Sequence, residues 1–468
     1  MQGRDFEQYS HEEVFELVQQ FEENLAGNGN TFLQEVSFLK IIEFYEERFD
    51  SKKAHDVTVI ALEQYAFSAI LWIKKARFLS DMGQSEQALQ TLEHAYILDN
   101  QEIEMHLLKA EIFAGMQRYN ESIEILNNCL VFADNFEKLD ILCSLADIHE
   151  SFFAPRQAFE ALKKALYIAP GNIEILERIN FCVDDLKNFE ESINLHKEII
   201  DLEPYSYHAW FNLGQAYAAI KLFEKAIDAY SYCLAIKENF YHGLMESGEC
   251  FYELKQYSKA LEFYLDAAKI ERPDEDLNYS IGFTHYHLGN LGKAIYYFKK
   301  TISIDPTFQD AYFQLGRINQ QQGLHEVALK CYKKAINFEE DNVEYLVAFA
   351  DLCFLQSKHY QASENYLIAL QHDPMNEGIW VKLSDCYNDL ELFEEATLIS
   401  RHGLNAIPNS SKLLYLNGIY EWKCGRKSAA FEFFEDALDI SPTGFTIIFE
   451  YLPTLKQNKQ LNQLLLMR

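Results

Sequence analysis

Between residues 35 and 444, apolar side chains recur every three or four positions in stretches broken by short polar turns, which is helical spacing and not the alternation of strands. The stretches come in twos. With Tyr207 to Phe240 as a reference, Trp210, Leu213, Gly214, Tyr217, Phe223, Ala226, Tyr230 and Ile236 lie at unit positions 4, 7, 8, 11, 17, 20, 24 and 30. A step of 34 regenerates the pattern, marking twelve units: 35–68, 69–102, 103–138 (two residues longer), 139–172, 173–206, 207–240, 241–274, 275–308, 309–342, 343–376, 377–410 and 411–444. Each unit predicts an antiparallel helix pair that cannot bury its apolar face alone, so the expected fold is all-α, built by stacking.

Two columns are small. Position 20 reads Ala54, Ala88, Ser122, Ala158, Ser192, Ala226, Ala260, Ala294, Ala328, Ala362, Ala396 and Ala430, and position 8 is mostly Gly or Ala. Helices that cross closely need this, because a larger side chain would push the pair apart. Proline falls at position 32 in six units, as Pro170, Pro204, Pro306, Pro374, Pro408 and Pro442, where it ends one helix before the next unit begins.

The order W-x2-L-G-x2-Y, A-x3-Y and P at a 34-residue period resembles the tetratricopeptide repeat (TPR) over about residues 35–444. The resemblance implies a right-handed superhelical α-solenoid whose first helices line a concave side. The first units depart from the pattern, with Ile42 at position 8 and Lys75 and Lys109 at the normally apolar position 7. Residues 1–34 read as an N-terminal cap: a helix from His11 to Leu25 capped by Ser10, then a turn at Gly27 to Asn30. Residues 445–468 read as a last helical segment interrupted at Pro453 and ending in Leu464, Leu465, Leu466 and Met467, either a cap on the last repeat or a self-association surface.

Composition narrows the partners. Lys and Arg number 41 against 72 Asp and Glu, a net charge of −31, which repels phosphate backbones and anionic lipid, so no nucleic acid or membrane partner is expected. With no apolar run behind a basic start and no stretch of membrane-spanning length, the expectation is a cytoplasmic protein. Nine scattered cysteines without a CxxC pair predict neither a disulfide framework nor a zinc site; Cys143, at a groove position of the family pattern, is the one worth testing for reactivity. His285 and His287, two apart, diverge on a helix and do not suit joint metal binding. No GxSxG, P-loop, GxGxxG or HExxH occurs, and adjacent carboxylates such as Asp184 with Asp185 diverge likewise. No enzyme activity and no cofactor are expected, and only 34 residues precede the repeats and 24 follow them.

The resemblance further implies that ligands meet positions 2, 5, 9 and 12 of the first helices. These 48 positions hold sixteen Asp or Glu and three basic residues, Arg77, Arg317 and Lys412. The acidic ones concentrate early, in keeping with a net −21 over residues 1–206. The expected groove comprises Asp147, Glu150, Glu177, Phe181, Asp184, Phe211, Gln215, Glu249, Tyr252, Tyr279, Phe283, Tyr286, Phe313, Arg317, Asp351 and Phe354, with Tyr415 and Trp422 on the same columns. Carboxylates facing the N-terminal half predict a basic segment in the partner, and the aromatics predict apolar anchors. The family's clamp for acidic C-terminal tails is not expected: no unit has Lys at position 5, and Asn212 is followed by Gln215 where a second Asn is needed. The function implied is a non-catalytic scaffold binding a partner protein or extended peptide; the alternative is a regulatory receptor for a short peptide or small ligand inside the superhelix. A third possibility is an enzyme subunit of the kind seen in glycosyltransferases with long TPR arms.

Overall fold

The structure, a computed structural model, describes residues 11–26 and 32–467, which divide into two compact units, residues 1–238 and 239–468. Ser10 and the Gly27 to Asn30 turn lie outside the described residues. The first unit opens with α1 (His11–Leu25). Six helix pairs follow: α2 (Glu35–Glu47) with α3 (Ser51–Gln64), α4 (Ala69–Asp81) with α5 (Ser85–Leu98), α6 (Ile103–Gly115) with α7 (Tyr119–Cys129), α8 (Asn135–Ser151) with α9 (Pro155–Ile168), α10 (Ile173–Leu186) with α11 (Phe189–Leu202), and α12 (Tyr207–Ala219) with α13 (Phe223–Ile236). The second unit holds six more: α14 (Tyr241–Glu253) with α15 (Tyr257–Ile270), α16 (Glu275–His287) with α17 (Leu291–Ile304), α18 (Gln309–Gln321) with α19 (His325–Phe338), α20 (Val343–Leu355) with α21 (His359–His372), α22 (Glu377–Asp389) with α23 (Phe393–Ala406), and α24 (Ser411–Lys423) with α25 (Lys427–Ile440). The chain ends in α26 (Thr446–Tyr451), a 3₁₀ turn that starts at Pro453, and α27 (Lys459–Met467). Among the described residues no helix is long and apolar enough to cross a membrane.

The helices start where they do because position 34 is a cap. Ser68, Asn172, Ser206, Asp274, Asn342, Asn376 and Ser410 each accept a backbone N–H from the first turn of the following helix. One start differs from the repeat spacing. The first helix of the fourth pair, α8, begins at Asn135, four residues before position 139, because Asp134 and Glu137 form a capping box and fill the two extra residues of the preceding unit with helix.

Within each pair the small columns meet the core. All twelve position-20 residues, from Ala54 to Ala430, are fully buried. The position-8 glycines serve a particular neighbour, the ring at position 24 of the second helix: a Cβ on Gly316 would come within 2.5 Å of the Tyr332 ring, and one on Gly248 within 2.6 Å of Tyr264. Position-4 aromatics close over the preceding proline column, with Trp210 and Trp380 donating their indole N–H to the carbonyls of Pro204 and Pro374 at 3.0 and 2.9 Å.

The departures in the first units are absorbed locally. Lys75 lies over the Trp72 ring and Lys109 reaches Glu93 at 3.0 Å, while Ala76 and Ala110 stay buried. At the other end Ile448, Leu452, Leu455 and Leu461 are buried in the core of the last pairs, and Leu464 and Leu465 pack against them. The side chains of Leu466 and Met467 lie outside the described residues.

Candidate functional site

In the first unit two of the four carboxylates expected in the groove, Asp147 and Glu150, are already engaged. Arg178, at position 6 of its unit and mostly buried, bonds Asp147 at 2.6 Å and Glu150 at 3.1 Å. Lys74, at the same position three units earlier, binds Glu46 at 2.9 Å. A cation just inside the ligand-facing columns therefore satisfies carboxylates of the preceding unit, and the acidity inferred from four columns overstates the exposed charge. Glu177 is exposed and 3.8 Å from the His208 ring; Phe181 is 72% exposed, and Asp184 is exposed beside it on α10.

Two of the expected anchors are core residues instead. Phe211 is buried against Tyr230 at 5.8 Å, and Phe313 is buried between Tyr332 and Tyr345 at 5.6 and 4.7 Å. A large ring at position 5 is drawn against neighbouring rings, that of its own pair for Phe211 and also that of the next pair for Phe313. Gln215 is half-buried. Tyr415 is likewise buried and donates to the Ser441 carbonyl at 2.7 Å, and Trp422 packs on Phe431. Asn212 belongs to a buried network described below, so it faces no ligand.

The second unit brings the remaining predicted residues together. Tyr252, Tyr279 and Tyr286 surround Phe283 with ring centroids 5.6, 5.5 and 6.4 Å away, all nearly parallel. Tyr257 and His287, which the position pattern omitted, complete this ladder: His287 stacks on Tyr257 at 4.8 Å and meets Phe283 edge-on at 4.9 Å. Burial pushes the Tyr252 and Tyr279 phenols up and the His287 imidazole down, so all three are neutral near pH 7. His285, by contrast, is buried against Tyr297, turned away from His287. Glu249, at the start of the ladder, accepts the Tyr264 hydroxyl at 2.7 Å.

Arg317 ends the ladder. Its guanidinium lies 5.5 Å from the Tyr286 ring centre and 5.9 Å from that of Phe313, half-buried, and among the described residues no carboxylate stands within 4 Å of it. Beside it opens a cleft of about 830 Å³ whose walls include Gln320 and Gln321 of α18 and Val347 and Asp351 of α20. Asp351 is engaged already, accepting Tyr366 and pairing with Lys382 at 2.8 Å. A second, smaller hollow of about 280 Å³ follows, lined by Phe354, Leu355, Lys382 and Asp385. One of its lining residues is held by the C-terminal segment, for Tyr451 of α26 donates to Asp385 at 2.7 Å.

Cys143 is half-buried and burial pushes its thiol up, the wrong direction for a nucleophile.

Models of the tetratricopeptide repeat match residues 185–239, 275–308 and 309–342. The chain is a tetratricopeptide-repeat protein. TPR scaffolds commonly mediate protein–protein or peptide interaction. No curated protein matches this TPR chain. Solved structures that resemble it include MamA, 25% identical over 35% of this chain and 95% of that one, with a TM-score of 0.33. Another is the C-terminal part of a TPR repeat-containing protein from Cytophaga hutchinsonii, 16% identical over 52% of this chain and 99% of that one, with a TM-score of 0.46. A third is YrrB, titled a TPR protein with an unusual peptide-binding site, at 15% identity over 39% and 94% and a TM-score of 0.34.

Proposed function

We propose that this TPR protein is a non-catalytic scaffold that binds a segment of a partner protein along the first helices of its repeats. The carrying observation is Arg317, a half-buried guanidinium without a carboxylate, set between a stacked aromatic ladder and an open cleft. Burial of a charge is costly unless something pairs with it, so Arg317 suits a carboxylate or a backbone carbonyl of a bound peptide. Rigid rings of Tyr252, Phe283 and Tyr286 offer contact area for apolar anchors at low entropic cost. Where the first unit takes part, Glu177 and Asp184 with the exposed Phe181 suit a segment carrying both a cation and an apolar side chain.

The test is selection of peptides from a random library on the intact chain, followed by affinity measurement. The selected peptides should carry aromatic or aliphatic anchors, and Tyr286→Ala or Arg317→Gln should each weaken them by about 1–3 kcal/mol without lowering the melting temperature. Undiminished binding by both variants would remove the groove from the reading. The cleft's volume also lies within the range of small-ligand pockets, which is what favours the regulatory-receptor alternative. A ligand that shrinks the radius of gyration in solution scattering would support it.

A further inference from the structure

We propose that the second helices of the middle repeats in the second unit carry a separate docking site for an acidic peptide segment, centred on the cleft between α19 and α21. None of its residues lines the groove described above. Residues 291–338 carry seven basic side chains and three acidic ones, a local +4 in a chain whose net charge is −31. The cleft, of about 400 Å³, has Leu329, Ile336 and Phe349 among its lining, with Lys330 and Lys333 beside them. Lys358 is spoken for, bonded to Glu326 at 2.8 Å. Lys330 and Lys333 are exposed and, among the described residues, have no carboxylate within 4 Å. Glu326, already bonded to Lys358, also feels Lys330 one turn away, so the rim of the apolar hollow carries Lys330, Lys333 and Lys358 against Glu326 and Glu364, a local positive excess in a molecule with so large an excess of carboxylates. Lys299 of α17 and Lys334 of α19 extend it, since both act electrostatically on Cys331 between them.

The chemistry that fits is a short run of Asp or Glu with an apolar side chain. The carboxylates face the lysines, the amides of Gln361 and Asn365 supply further donors, and the apolar side chain enters between Ile336 and Phe349. A nucleic acid fits poorly, because a chain of net charge −31 repels a continuous phosphate track, whereas a short peptide can place its few carboxylates on the lysines alone.

The experiment titrates the full chain into a short fluorescein-labelled peptide of Glu and Asp with two Leu anchors, and into its Gln and Asn counterpart, reading anisotropy at low salt. The acidic peptide should bind at least about tenfold more tightly, and Lys330→Glu with Lys333→Glu should abolish that margin, whereas Lys52→Glu with Lys164→Glu in the first unit should leave it intact. The milder Lys330→Gln with Lys333→Gln should fall between, with an unchanged melting temperature. Equal binding of the two peptides overturns the proposal, as does acidic binding that survives the lysine reversal or is lost with Arg317→Gln instead. Equally tight binding of a labelled oligouridylate overturns it in favour of nucleic acid. Concentration-dependent dimerisation that the lysine reversal abolishes, without peptide binding, would assign the face to a second copy.

Discussion

At the residue scale, the repeats are held by volume complementarity between position 8 and position 24. Glycine pairs with a ring in Gly214/Tyr230, Gly248/Tyr264, Gly282/Phe298, Gly316/Tyr332 and Gly418/Phe434, whereas Ala76, Ala110 and Ala146 face Leu92, Leu126 and Leu162. The methyl of Gly316→Ala has no room beside Tyr332 and should cost about 1–3 kcal/mol by chemical denaturation. Adding Tyr332→Leu should cost less in that background than in the native chain, a coupling that sums of single effects would miss. In unit 173–206 both positions are polar, Asn180 and His196, and the histidine is held by other partners. The fully buried His196 bonds the Ser192 carbonyl through Nδ1 at 2.8 Å and receives Asn212 on Nε2 at 3.2 Å, while Asn212 also donates to the Leu176 carbonyl. These partners hold the imidazole neutral, and burial pushes it down to about 4 from an ordinary 6.5. The unfolded chain therefore binds the extra proton between those values. Stability from this group is complete above pH 6.5 and is lost as pH falls toward 4, by about 3 kcal/mol in the limit. Denaturation midpoints across that window should fall less steeply for His196→Gln than for the native chain.

At the element scale, each pair is joined by the same tight turn. Position 15 takes a left-handed conformation in all twelve units, at Gly83, Gly289, Gly323 and Gly425 but also at Phe49, Gln117, Phe153, Lys187, Lys221, Lys255, Ser357 and Glu391. Glycine was scarce in the sequence and the turn therefore unmarked; packing of the two helices imposes it on residues that would not choose it. The last pair carries a buried charge at position 11, where three other units place tyrosine (Tyr45, Tyr217 and Tyr387). Glu421 of α24 is fully buried and bound by Arg401 at 2.5 Å and by Arg426, which also reaches Glu394 at 2.7 Å. Both arginines are partly exposed, so the consequences of breaking the network are unequal. Arg401→Ala with Arg426→Ala strands the carboxylate in the core and should cost about 3–5 kcal/mol, whereas Glu421→Gln returns the arginines to water and should cost less. Equal losses would mean that packing, and not charge, holds this corner.

At the scale of the whole molecule, charge acts on every helix at once. A net −31 opposes compaction, so raising the salt from about 10 mM to about 100 mM, which shortens the screening length from about 30 Å to about 10 Å, should raise the melting temperature. A decrease would show that specific pairs such as Arg178 with Asp147 and Glu150 outweigh the general repulsion. How much of this was legible in the sequence divides along a physical line. Helical periodicity, the buried Ala column and the 34-residue repeat depend on contacts between residues near one another in the chain, and the sequence by itself determined them. The site was only partly readable, because a column of residues fixes which way a side chain leaves its helix but not what comes to meet it. Phe211 and Phe313 stand in ligand-facing columns and are covered by the rings of neighbouring helices. Arg178 and Lys382 arrive from the next repeat to satisfy Asp147, Glu150 and Asp351, and Tyr451 folds back onto Asp385 from 66 residues away. Exposure and free charge are sums over neighbours in space, so only the tertiary structure decided which anchors stay open and left the half-buried Arg317 among rings and Gln314 without a carboxylate within 4 Å among the described residues.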